Sequence, residues 1–491
     1  MKSSSRFRLS PVALVLILVF SSGCMMVGPD YKQPKEQMPA KWVEENSKGV
    51  STQTPMEVKQ WWTLFNDPVL NSLIEEAETA NKDLKIAYAR IREARAQRTI
   101  SASALFPSVN TKELYGRNRL SSDAAPPSVP PGFLPPTPGT GGTFTNSWDL
   151  FQGGFDASWE LDLFGGVRRS VEAATANVSA SEEDYRDTLV TLLSEVAVNY
   201  LTVRGTQLRL DIANKNIEAQ RQTLELTQVR FAAGLSSDLD VSQAKAQLAT
   251  TESLVPSLET TLKQSMYQLA TLLGQNPDYL VDRLSKDEPI PGIPPEVPVG
   301  IPSELLRRRP DVRRAERQLA AATAQIGVAT ADLFPHIDLT GNIGQASMSV
   351  GGFARSANSF WSLGPTLRWN LFNAGATRAN IEVQKARTEE ALQTYEKTVL
   401  TALQDVESAL VAYSREQNRR GSLVTAVDSN QRAFDISSEL YARGLADFLR
   451  VLDSQRSLYV TQDQLALSDQ QVSSNLVALY KALGGGWETT P

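Results

Sequence analysis

The chain is almost without the side chains that metal and thiol chemistry need. Its 491 residues hold one histidine, His336, and one cysteine, Cys24. That leaves no material for a zinc site, a disulfide or a Cys/His or Ser/His/Asp catalytic set, and no cofactor is expected. Aromatic residues are sparse, at 7%. Basic charge is not in excess either: the net charge is −6, which argues against a nucleic-acid binder. No apolar run reaches the roughly 20 residues that a membrane-spanning helix needs. From Val167 to Ala232 proline is absent and glycine is confined to Gly205.

What is present starts with an export signal. Lys2, Arg6 and Arg8 precede the apolar run Val12 to Phe20, and Ser21-Ser22-Gly23 leads to Cys24. A charged segment, a short apolar core and small residues make a signal peptide over 1–23. Cys24 after Gly23 is similar to a bacterial lipobox, although Ser21 stands where leucine is usual. Lipidation at Cys24, as palmitate or a similar acyl chain, would add about 0.8 kcal/mol of membrane affinity per buried CH₂. Met25 next to it implies, within that resemblance, delivery to the outer membrane. The alternative is an ordinary secretory signal with a stray free cysteine.

The rest reads as one plan written twice. Asp67-Pro68 predicts a helix N-cap, with Leu70, Ile74, Ala77, Leu84, Tyr88 and Ile91 as its apolar stripe, ending near Leu105 to Pro107. A second such helix runs through "RRRPDVRRAERQLAAATAQIGVATADLFP". Strand-like stretches follow each, from Val109 and from Ile337. In "FDASWELDLF", Phe155, Ala157, Trp159, Leu161 and Leu163 alternate with Asp156, Ser158, Glu160 and Asp162. In "LGPTLRWNLF", Leu363, Leu367, Trp369 and Leu371 alternate with Gly364, Thr366, Arg368 and Asn370. Such alternation over about ten residues fits a membrane β-barrel strand, with Trp159 and Trp369 toward lipid and Asp156, Glu160 and Arg368 toward water. Loops separate the strands: Leu120 to Ser147, which holds seven prolines, and a shorter one near Val350 to Ser359.

Two long helical runs come next. One carries Leu189, Leu193, Val196, Tyr200, Val203, Leu210, Ile217 and Leu224 in a coiled-coil rhythm; the other, from Ala376, carries Tyr395, Val399, Ala402, Val406, Ala409 and Tyr413. At 1.5 Å per residue the first spans on the order of 100 Å. "FAAGLSSDLDVSQAKAQL" and "YARGLADFLRVLDSQRSL" close the two runs around Gly234 and Gly444, 210 residues apart (444 − 234). A glycine after a helix points to a positive-φ stop, so each is the tip of an antiparallel helical hairpin.

The boundaries that follow are a signal peptide over 1–23, a lipid-anchored extended segment over 24–66, a first repeat over 67–280, a proline-rich linker over 281–302 and a second repeat over 303–491. Four strands per chain cannot close a barrel, and an open sheet edge in lipid is forbidden. The chain must oligomerise; three chains give twelve strands, and other multiples stay open at this point.

"GPDYKQP", "WWTLFNDPVLNSLIEEA", "LLRRRPDVRRAERQLAAATAQIGVATADLFPHIDLTG" and "YARGLADFLRVLDSQRSL" resemble the TolC-type outer-membrane factors, in the lipoprotein branch that serves resistance-nodulation-division efflux pumps. The resemblance implies a homotrimer of mixed α and β fold: a twelve-stranded β-barrel in the outer membrane continuing into a long α-helical periplasmic barrel. It implies docking on a periplasmic adaptor and an inner-membrane pump, with small molecules, multidrug cargo among them, leaving through the lumen. It places hairpin-tip contacts at Gly234, Leu235, Asp240, Gly444, Leu445 and Asp447, and a periplasmic gate at Leu449, Asp453 and Arg456. Three Asp453 carboxylates about 6 Å apart would repel by roughly 0.7 kcal/mol per pair in water, so neighbouring cations are expected to neutralise them. Within one helix, Asp453 and Arg456 could instead form a plain i,i+3 pair. The first repeat has Leu239, Gln243 and Ala246 at the matching positions.

Other readings are a lipid-anchored coiled-coil scaffold or adhesin, which leaves the alternating strands unexplained, and a periplasmic enzyme. Asp238 and Asp240 suggest a metal loop but lack the glycine and bidentate glutamate of a calcium loop. Arg307 to Arg309 with Arg313 and Arg314 could bind an anion, and otherwise make a solvated helix start.

Overall fold

A computed structural model describes residues 26–35, 38–44, 50–51, 59–119, 147–292, 297–299, 302–304 and 308–487. Cys24, Arg307 and the proline-rich stretch 120–146 lie outside these. Contacts divide the chain into two compact units. The first comprises 1–33, 93–178 and 317–392; the second comprises 34–92, 179–316 and 393–491.

The first unit holds a four-stranded antiparallel sheet: β1 (Ser108–Arg119), β2 (Ser147–Leu161), β3 (His336–Ser347) and β4 (Ser359–Arg368), in that spatial order. Register sorts the faces. Asn110 stands opposite Asp156, Asp156 opposite Asn342, Glu160 opposite Asp338, and His336 opposite Arg368. Those residues share one polar face, cross-linked by His336 Nδ1 to Glu160 Oε1 at 2.7 Å and by Arg368 Nε to Asp338 Oδ2 at 2.7 Å. The other face carries Phe155, Trp159, Leu339, Ile343, Leu363 and Leu367, all exposed in the single chain. Trp159 and Trp369 stand 210 residues apart (369 − 159) and donate their indole N–H to Leu105 O at 3.0 Å and Leu333 O at 3.1 Å. The two "LFP" corners are thus built alike.

Several strand boundaries differ from the sequence expectation. The second strand starts at Ser147 instead of Phe155, because Gly153-Gly154 continues the ladder where β3 passes closely: a Cβ at Gly154 would stand 2.5 Å from Ile343 O. The strands also end earlier than the alternation does, leaving Leu163, Trp369 and Leu371 outside them. The last ladder pair is His336 with Arg368, and Pro335, just before it, has no N–H with which to extend it.

The segment from Met26 docks on this unit. Arg169, fully buried, donates to Val27 O at 3.1 Å, to Gly28 O at 3.3 Å and to Asp30 Oδ1 at 2.7 Å. Gly28 has φ +87, and a Cβ there would stand 2.4 Å from Gly327 Cα. Only glycine meets both conditions.

Helices fill the second unit. α1 (Pro68–Ala80) and α2 (Lys82–Ser103) replace the single helix expected there. Asp67 caps α1, accepting from Val69 N and Leu70 N. Asn81 breaks the run, giving Nδ2 to Leu272 O at 2.8 Å and accepting from Leu84 N at 3.0 Å. The break shifts the stripe, so Ala87 is buried and Tyr88 is 54% exposed.

α3 (Gly166–Ala232) and α7 (Ala376–Ala442) each run 67 residues without interruption, offset by the same 210 residues (376 − 166). Leu189, Leu193, Val196, Tyr200 and Val203 join Tyr395, Val399, Val406 and Tyr413 in one core with Trp61, Phe65 and Tyr480. The returns are unequal. The first is split into α4 (Asp238–Glu252) and α5 (Val255–Leu272), where Pro256 cannot continue the incoming helix; the second is one helix, α8 (Phe448–Ala482).

α6 (Pro310–Ala331) starts in a half-buried ionic cluster, within which Arg309 and Glu183 are buried. Arg309 donates to Asp311 and Asp405, Arg313 pairs with Glu183, and Arg314 pairs with Asp184 and Asp187. The guanidinium groups of Arg186 and Arg313 stand 4.9 and 5.1 Å from the centre of the Trp487 ring.

Candidate functional site

The two tips are built from the same local chemistry. Gly234 and Gly444 have φ of +74 and +76. Leu235 N bonds Arg230 O at 2.8 Å and Gly234 N bonds Phe231 O at 2.9 Å; Leu445 N bonds Leu440 O at 2.8 Å and Gly444 N bonds Tyr441 O at 2.9 Å. This paired pattern is a Schellman stop, which satisfies the last helical carbonyls and turns the chain. The return helices then start on side-chain caps. Ser237 and Asp240 form a reciprocal capping box, and Asp447 accepts from Arg450 N at 3.1 Å. Slight burial pushes the Asp240 carboxyl up, but bonds from Ser237 N and the Ser236 and Ser237 hydroxyls outweigh it and hold it below the ordinary carboxylate range. Leu235 and Leu445 project at the tips, 67% and 71% exposed.

Leu449, Asp453 and Arg456 lie at steps of four and three on one exposed face of α8. The opposite face, Phe448, Val451 and Leu452, is buried in a small cluster with Ala244 and Tyr441. Arg456 reaches across to the first hairpin and donates from Nε and Nη2 to Gln247 Oε1, at 3.3 and 3.2 Å. The i,i+3 pair with Asp453 is absent among the described residues.

Two residues of this arrangement, Gln247 and Arg230, were not read from the sequence. Arg230, near the end of α3, donates from Nη1 to Tyr441 O at 3.0 Å and to Ala442 O at 3.4 Å, with its guanidinium 4.7 Å from the Tyr441 ring centre. A cation on the last carbonyls of α7 opposes the helix dipole. The signal was available: 210 residues on from Arg230 stands Leu440, so the repeats part company there.

Asp238 and Asp240 do not gather a metal set; among the described residues no group of three or more His, Cys, Asp or Glu is placed to hold an ion.

The outer membrane efflux protein family model matches residues 73–275 and 301–485. The chain belongs to the outer membrane efflux protein family. The pyoverdine export outer membrane protein OpmQ of Pseudomonas aeruginosa is 36% identical over 438 residues, 88% of each chain. The toluene efflux pump outer membrane protein TtgI of Pseudomonas putida is 32% identical over 495 residues, 99% of each chain. The outer-membrane channel OprN, a solved structure, shares 37% identity at a TM-score of 0.85, covering 94% of this chain and 99% of that one. This member of the family is an outer-membrane channel protein of mixed fold, with four barrel strands per chain in a trimer and a long helical barrel in the periplasm.

Proposed function

We propose that the channel is a passive exit duct, closed at its periplasmic tip when undocked, through which an inner-membrane pump and a periplasmic adaptor expel small molecules. It carries out no catalysis. The observation that supports this most directly is the face of α8: Leu449, Asp453 and Arg456 are exposed together, while the helix's other side packs against the first hairpin. A trimer brings three copies of that face toward one axis. The tips, at Gly234, Leu235, Asp240, Gly444, Leu445 and Asp447, offer two exposed leucines on rigid turns for the adaptor. Asp240 and Asp447 act there by holding the turns in shape.

In this reading residues 24–66 are the anchored lead-in from a lipidated Cys24, 67–280 and 303–491 are the two repeats, and 281–302 joins them. Conductance in a planar lipid bilayer tests the gate. Wild-type trimers should conduct poorly, and replacing Asp453 and Arg456 together with Ala should raise the conductance. Equal conductance with trimers intact removes these residues from the closure.

A further inference from the structure

The gate residues sit on a hairpin that must move if the duct opens, and the second unit holds a level at which its packing and its helices are weakest together. The first sign is Gly421, on the exposed side of α7. A Cβ at Gly421 would meet nothing within 4 Å. Within the single chain no close packing requires glycine here, and glycine is the least favourable helix residue after proline. The first repeat has Asp211 at the matching position, reinforced by Lys215 one turn on at 2.7 Å.

The second sign is how α7 is held on either side. Just before Gly421, Arg420 bonds Asp469 of α8, Glu416 accepts from Ser468, and Asn475 Nδ2 reaches Ala412 O at 3.0 Å. Beyond it, a half-open groove of about 520 Å³ lies among α3, α7 and α8, lined by Ile212, Asn216, Phe434, Leu458, Gln462 and Asp469, and α7 is next bonded to α8 by Asn430 Nδ2 to Thr461 Oγ1 at 3.2 Å.

The third sign comes from the first hairpin. Its return helix stops at Glu252 and restarts at Val255. Arg221 pairs with Glu252 at 2.8 Å, and Leu258 packs with Ala213 and Tyr459. The break therefore lies beside the stretch of α3 that walls the groove. A clamp, a glycine, a groove and a helix break fall near one level.

We infer that this level is a flexure plane: α7 hinges at Gly421, and the part of the second hairpin beyond it swings while the part before it stays clamped. α8 has no break there and follows by smooth curvature, as long helices do. The groove gives the moving helices somewhere to go. This rests on the proposed gate for its purpose, but not for its geometry.

The test uses full-length trimers. In the Asp453→Ala, Arg456→Ala background, adding Gly421→Ala should lower the open fraction in a bilayer roughly fivefold, the change expected for alanine in place of glycine in a helix. Adding Ser422→Gly to that variant, which moves the glycine by one residue, should restore it. In parallel, a spin label on an unnatural residue at Arg443 reports the spread of distances between the three tips. That spread should narrow with Gly421→Ala and recover with Ser422→Gly. An unchanged open fraction together with an unchanged spread overturns the hinge. If the Asp453→Ala, Arg456→Ala channel conducts like wild type, the gate reading fails, and the distance spread alone decides the hinge.

Discussion

Arg456 donates to Gln247 at 3.3 and 3.2 Å and leaves Asp453, three residues before it, without an ion pair among the described residues. A cation at the proposed constriction is thus aimed by a neutral amide from the other hairpin. Gln247 holds the geometry and contributes no charge of its own.

Gln247→Ala should therefore release Arg456 and raise bilayer conductance, though less than the Asp453→Ala, Arg456→Ala pair. Gln247→Glu should keep the channel as closed as wild type or more so, since a charge-assisted bond is roughly twice as strong as a neutral one. Alanine and glutamate giving the same conductance would remove Gln247 from this role.

The two sheet faces make a second prediction. Leu161 and Leu367 lie on the apolar face, and Ser158 and Thr366 on the polar one. Arg at Leu161 or Leu367 should cost about 2–4 kcal/mol near the bilayer midplane and less toward its edge, and trimer yield should fall. Arg at Ser158 or Thr366 should be tolerated. Trimer bands after mild detergent extraction give the comparison.

Anchoring makes the third. Cells fed a labelled fatty acid should mark the wild-type protein, and Cys24→Ser should abolish the mark. Label on the Ser variant equal to wild type ends the lipidation reading.

The fourth concerns acid. Burial pushes the Asp311 carboxyl up, but two bonds from Arg309 and the Arg309 charge outweigh it and hold it low. A depressed carboxyl stabilises the fold above its unfolded value near 3.9 and loses that contribution as pH falls through its folded value. Asp311→Asn should then be less stable than wild type by up to about 3 kcal/mol at pH 7, and the gap should close on acidification below pH 4. Burial keeps Glu183 and Asp187 raised in spite of Arg313 and Arg314. The Asp311 charge is itself part of what raises Asp187, so Asp187 should titrate lower in the variant, and the difference between the two denaturation midpoints reports the coupled pair.

Local signals were readable in the sequence; distant partnerships were not. The long helices, their apolar stripes and the glycine stops depend on neighbours a few residues away, and each stands where its pattern put it. Arg169 meets Asp30 across 139 positions and Arg456 meets Gln247 across 209. No periodicity encodes such pairs. The Asn81 break was hidden because helix-forming residues flank it, and its cause is a carbonyl at Leu272. The strand ends were misplaced because a ladder stops where its partner stops, and Pro335 belongs to another strand's approach.

The unequal hairpins also fix the arithmetic of the assembly. Each chain brings one tip with Leu449, Asp453 and Arg456 and one with Leu239, Gln243 and Ala246 at the matching positions. A trimer therefore alternates two kinds of surface around its axis. Six identical contacts with a repeated partner are impossible, and a partner fitted to one kind of tip finds three places to sit. A single base change in the gene is written three times around the pore. A cell expressing two alleles builds four classes of channel, with none, one, two or three altered tips.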